Sequence, residues 1–164
     1  MKAFKITDIK NFMNKLLVAE TFDAFNANEI SVTTFCTYHI DCHINKNYYS
    51  KEELEVMDDC VYAAWAQLKP ICFEIIKGKK VPYKFKITLS LPSKYYPSVL
   101  SDSSDETTVK SIDNLYLHIT YENNSLTIIT ASSLNIFTMD KTVDNCWDAY
   151  IQKHLLGQFS YEGI

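Results

Sequence analysis

Two stretches of this chain carry residue types able to do chemistry. The first is His39-Ile40-Asp41-Cys42-His43. On a regular strand, alternate side chains share a face and stand about 6.8 Å apart. His39, Asp41 and His43 would then point the same way. Two imidazoles and a carboxylate are ligands that suit zinc or ferrous iron, and a bound divalent metal would activate water for an enzyme. The same spacing also describes the solvated side of a strand, and a turn at Asp41-Cys42 would break the common face.

The second stretch is basic. Formal net charge is −4 over 164 residues, yet residues 66–94 hold seven lysines (Lys69, Lys77, Lys79, Lys80, Lys84, Lys86, Lys94) against Glu74 alone. A basic zone on an acidic chain marks either a polyanion-binding surface or an ordinary solvated face. Every cation is lysine, because the chain has no arginine. Bidentate recognition of phosphate or guanine is therefore unavailable, and an anion site must use lysine as a point charge, backbone N–H groups or hydroxyls. Lys77-Gly78-Lys79-Lys80 closes an expected helix, where cations also suit the negative end of the helix dipole.

The remaining candidates read as structural. His118 falls in mid-strand with no nucleophile nearby in sequence, and His154 falls on the apolar side of the last expected helix. Three glycines (Gly78, Gly157, Gly163) leave no phosphate-cradling or dinucleotide fingerprint, and no G-x-S-x-G elbow occurs. The five cysteines (Cys36, Cys42, Cys60, Cys72, Cys146) are odd in number and contain no C-x-x-C pair. That argues against a disulfide framework or zinc ribbon, and for small buried hydrophobes in a reducing cytoplasm. The longest apolar runs fall far short of a membrane span, and the N-terminus lacks the apolar core of a secretion signal.

The elements that must position these residues follow from hydrophobic period. Met1–Ile6 reads as a strand. Thr7 or Asp8 can cap a helix whose face is Ile9, Phe12, Met13, Leu16 and Leu17. From Ile30 the period is two, through Val32, Thr34, Cys36, Tyr38, Ile40, Cys42 and Ile44, and a bulge or turn is expected near Asp41-Cys42. Ser50 and Glu53 form a capping-box pattern for a short helix over 51–58. Leu68, Ile71, Cys72, Ile75 and Ile76 predict a helix over 67–77, with Pro70 tolerable only in its first turn. Tyr83 to Leu91 alternates as a half-exposed strand.

A short helix over 94–100 and a mobile acidic loop through 102–106 come next. Asn123-Asn124 then suit a two-residue turn that sets Tyr121 against Leu126, Ile119 against Ile128 and Leu117 against Thr130. A strand over 134–138, a helix over 142–156 and an extended tail complete the chain. The fold class is α+β: one domain over 1–164, a mostly antiparallel sheet packed with two amphipathic helices, plus a C-terminal helix.

Two resemblances attach to these residues. Ile76-Lys77-Gly78-Lys79-Lys80-Val81-Pro82 and Phe137-Thr138-Met139-Asp140-Lys141, followed by Trp147, resemble an uncharacterised family of short clostridial proteins over nearly the whole chain. That resemblance implies no activity. It does imply glycine after the aspartate near position 41, where this chain has Cys42.

Element order over 1–141 is similar to one domain of a DNA sliding clamp, with 142–164 as an addition. This resemblance implies that the two helices face DNA through Lys10 and Lys15 on the first and Lys69 and Lys77 on the second. The leading expectation is thus a non-enzymatic binding module without cofactor, clamp-like in order, with nucleic acid or protein as partner. Its polyanion surface would comprise Lys10, Lys15, Lys69, Lys77, Lys79 and Lys80. The alternative is a metal-dependent enzyme using His39, Asp41 and His43.

Overall fold

The computed structural model describes residues 1–57, 59–100 and 106–164. Seven antiparallel strands form one sheet: β1 (Ala3–Ile6), β2 (Asn26–Thr33), β3 (Thr37–Asp41), β4 (Lys84–Ser90), β5 (Ile112–Glu122), β6 (Ser125–Leu134) and β7 (Tyr161–Gly163). Their spatial order is β3-β2-β4-β5-β6-β1-β7. The helices are α1 (Ile9–Leu17), α2 (Lys51–Val56), α3 (Trp65–Ile76), α4 (Tyr96–Leu100), α5 (Glu106–Ser111) and α6 (Thr142–His154).

The sheet buries one side. Ile30, Val32, Phe85, Ile87, Leu89, Leu117, Ile119, Leu126 and Ile128 point into the core, where Phe12 and Leu16 of α1, Trp65 and Cys72 of α3, and Trp147 and Ile151 of α6 meet them. Alternate residues such as Ser31, His39, Lys86, His118 and Thr127 face away from it, as expected of a sheet solvated on one side. Two indole N–H groups fasten helices to the rest: Trp65 Nε1 donates to the Leu16 carbonyl at 3.1 Å, and Trp147 Nε1 to the Tyr116 carbonyl at 2.9 Å. The hydroxyl of Thr130 donates to the buried carboxylate of Asp148, tying α6 to β6.

Local signals act as the sequence indicates at several points. Asp8 caps α1 by accepting from the Asn11 N–H, and Ser50 with Glu53 forms a reciprocal capping box. Asn123 and Asn124 adopt φ of 52° and 57°, and the β5–β6 register sets Tyr121 against Leu126, Ile119 against Ile128 and Leu117 against Thr130.

Other expectations are corrected. The chain reverses at residues 34–36, between Thr33 and its partner Thr37, a turn not expected there, while the expected irregularity near Asp41-Cys42 is where β3 ends. Helix α3 begins at Trp65, two residues early, so Pro70 sits in its second turn. The anchored Trp65, whose N–H also donates to the Phe25 carbonyl, holds that start. No strand forms over 135–138, because β6 runs unbroken to Leu134. The tail supplies β7, paired with β1. His154 is exposed and packs on the Tyr150 ring at 4.5 Å instead of entering the core. Cys42 and Cys72 are buried, whereas Cys36 is exposed at the hairpin tip. Residues 102–105 of the expected acidic loop lie outside the described residues, whereas Glu106 opens α5 rather than ending a loop.

Candidate functional site

A hollow of about 500 Å³ lies over the face of the sheet opposite the core. Strand β3 places His39 and Asp41 on that face, opposite Ser31 and Glu29 of β2. Strands β4 and β5 add Thr88 and Tyr116, and the extended stretch before α3 adds Tyr62. The chain leaves β3 after Asp41, and His43 forms an isolated bridge with Tyr62, their rings 4.6 Å apart. His43 closes back on Asp41: its N–H donates to Oδ1 at 3.0 Å, and its Nδ1 lies 2.5 Å from the same oxygen. Those two bonds from His43, side chain first, hold the Asp41 carboxyl below its usual range.

His39, Asp41 and His43 therefore line one hollow, with His43 Nδ1 and Asp41 Oδ1 engaged with each other. Among the described residues, no three His, Cys, Asp or Glu side chains are grouped to hold a metal ion. His118 stands beside this region, its Nδ1 3.1 Å from the Thr88 hydroxyl. Burial, and then the charge of Lys86, keeps its imidazole below the ordinary value, so it is neutral at pH 7.

The residue with the sharpest chemical demand in this hollow is Asn28. Between Ala27, paired with Leu89, and Glu29, paired with Thr88, β2 carries one extra residue, a β-bulge. That residue is Asn28, 8% exposed, with both amide atoms buried and no hydrogen-bond partner among the described residues. It lines the hollow beside Glu29 and Thr88. The sequence does carry a signal for the bulge. Phe25 and Ala27 point inward on odd numbers, Ile30 and Val32 on even ones, and only an inserted residue allows that switch. Tyr62 and Tyr116 carry no such signal.

A second hollow, about 990 Å³, lies at the end of the sheet where β2 turns into β3. The loop after α3 forms one wall with Lys77, Lys79 and Lys80; Phe35, Tyr38 and Tyr83 contribute rings, and Asn123 and Asn124 close the far side. Phe35 is 90% exposed and Tyr83 67% exposed. Lys77 pairs with Glu74 at 2.6 Å, while Lys79 and Lys80 are exposed and have no carboxylate partner among the described residues. A smaller apolar recess of about 230 Å³, lined by Ile9, Met13, Leu17 and Phe73, lies against the same loop.

The other lysines expected on a polyanion surface are not gathered here. Lys10 is exposed and Lys15 half-buried on α1, and neither lines either hollow. Lys69 is corrected: its ammonium group, on a side chain 12% exposed, donates to Asp23 at 2.7 Å and to the Ala19 carbonyl at 3.0 Å. It ties α3 to the segment after α1, so its charge is answered within the protein.

The fold defines an α+β protein with an antiparallel sheet that buries one face. The chain belongs to a family of unknown function (DUF5721), whose model matches residues 15–162. No curated protein and no solved structure matches it, so the likeness to a sliding-clamp domain rests on element order alone. No helix among the described residues is long and apolar enough to cross a membrane.

Proposed function

We propose that this protein is a non-enzymatic binding module that grips a flexible polyanion, single-stranded nucleic acid first, through the loop 77–82. One observation carries this reading: the two lysines without a carboxylate partner, Lys79 and Lys80, wall the larger hollow together with the exposed rings of Phe35 and Tyr83. Lysines track a phosphate backbone, and exposed rings stack on unpaired bases of any sequence. The loop is favoured over the α1–α3 surface of a clamp because Lys69 is committed internally. Five unpaired cysteines support a cytoplasmic location.

Fluorescence anisotropy with a labelled oligothymidylate tests the proposal. Two lysines predict a slope of about −1.4 in log affinity against log salt, or roughly sevenfold weakening between about 50 and 200 mM. Changing Lys79 and Lys80 together to Glu should abolish binding at the lower salt. Salt-independent binding, or none, removes the nucleic-acid reading.

A further inference from the structure

We propose that copies of this chain associate head to tail, the segment 136–140 of one copy docking in the apolar recess beside the lysine loop of the next. Phe137 fills the recess, and Asp140 meets Lys79 and Lys80. The segment joins β6 to α6 and displays Ile136, Phe137 and Met139, which are 54%, 99% and 88% exposed. Contiguous apolar side chains in water mark a contact surface. Asp140 ends the segment. The Thr142 hydroxyl and N–H both donate to its Oδ1, at 2.7 and 2.9 Å, and hold the carboxyl below its usual range. The segment thus offers a ring and an ionised carboxylate three residues apart.

The recess offers the complement. Ile9, Met13 and Leu17 of α1 and Phe73 of α3 line it, together with Lys79 and Lys80. Its volume is about 230 Å³, below the roughly 300–1,000 Å³ of small-molecule sites. An apolar cavity of about 150 Å³ already admits a benzene ring, so the recess suits one aromatic side chain. The two lysines select an anchor that arrives with a carboxylate, as Phe137 does with Asp140.

A chain cannot fill its own recess. Leu134 pairs with Ile112 at one end of β5, whereas Tyr121, nine residues along that strand, lines the recess. That separation is about 30 Å. Phe137 lies three residues past Leu134, a reach of about 10 Å. The Asn135 N–H, bonded to the Ser111 carbonyl at 2.9 Å, holds the segment at its own end. The occupant is therefore a second copy. Segment and recess are different surfaces, so the contact is heterologous and builds chains or rings larger than a dimer. This inference does not rest on nucleic-acid binding.

Sedimentation velocity of the full chain without nucleic acid is the test, between about 5 and 500 µM, where a contact of micromolar affinity is partly formed. Sedimentation should quicken with concentration and reveal species beyond the dimer. Phe137→Ser should weaken association by about tenfold or more. Val81→Asp, at a recess position 72% exposed, should do the same by opposing Asp140. Both sites are exposed, so both variants should melt as the parent does. Mixed together, the two variants should form a one-to-one dimer and nothing larger, because one keeps the recess and the other keeps the segment. Lys79→Glu with Lys80→Glu should also separate the copies, and adding Asp140→Lys should restore association. A monomer at every concentration, a dimer that grows no further, or association unchanged in Phe137→Ser would each overturn the assignment. So would a variant mixture that stays monomeric, or a charge reversal that restores nothing.

Discussion

The hollow at the sheet end and the hollow on the open sheet face are built in opposite ways. The first is walled largely by a loop and hairpin tips, and its lysines and rings stand in solvent. Among the described residues none of its side chains carries a buried polar atom without a partner, so none needs a ligand for stability. The second rests on paired strands, and its central group, Asn28, is shielded from water with nothing to bond. Exposed charge costs little to display and gives graded, salt-sensitive attraction. A buried amide with no partner costs stability.

The contrast can be broken by comparing what each region contributes to stability. The largest effect should come from Ile87→Ala on β4, which is fully buried between Ile30 and Ile119. Chemical denaturation should show a loss of about 2–5 kcal/mol, because packing beneath the open-face hollow is rigid. Gly78→Ala in the lysine loop should follow at about 1–3 kcal/mol. Gly78 has φ of +147°, and a Cβ there meets no atom within 4 Å, so the loss is conformational rather than steric. A Gly78 effect equal to that of Ile87 would mean that the loop is as rigid as the sheet.

Acid sharpens the comparison on the sheet side. Unfolded histidine binds a proton below about 6.5, whereas folded His118, with its pKa lowered by burial and Lys86, does so only at lower pH. Its contribution is therefore full above that value and declines as pH falls from it toward the folded pKa. Denaturant midpoints at about pH 7.5 and 5.5 should differ more for the parent than for His118→Gln. Thiol reactivity gives a kinetic version: burial pushes Cys42 up to about 11 and Cys72 up to about 12. Both should resist an aromatic disulfide reagent until unfolding, while exposed Cys36 at the hairpin tip reacts at once. The smallest stability effect should belong to Lys79→Glu with Lys80→Glu, within about 0.5 kcal/mol, since both are exposed and make no ion pair among the described residues.

Much of the fold was legible because local rules and long-range packing agreed. The Asn-Asn turn set the β5–β6 register, and the apolar faces of α1 and α3 announced their burial. The β2–β3 hairpin was not legible, for a definite reason. Its loop has three residues, so paired positions such as Ile30 with Ile40 and Val32 with Tyr38 keep the same parity. Alternation passes through the reversal unbroken and looks like one long strand. Lys69 misled in a similar way. Its position on a helix suggested a surface charge, and only the packed structure brought Asp23 to it. Of the candidate metal cluster, sequence placed His39 and Asp41 on one face and marked a break near Asp41-Cys42, but it did not reveal that His43 folds back onto Asp41 and bridges to Tyr62.

Sequence by itself determined the period of each strand and helix, the caps, the Asn-Asn turn and the uneven placement of lysine. These depend on neighbours within a few residues, where backbone geometry dictates which side chains share a face. Tertiary structure alone decided which lysines stay unpaired, that the tail closes the sheet as β7, and that Asn28 is both buried and unbonded. Those outcomes depend on groups far apart in the chain meeting at bonding distance, and hydrophobic spacing carries no information about which polar partner will arrive.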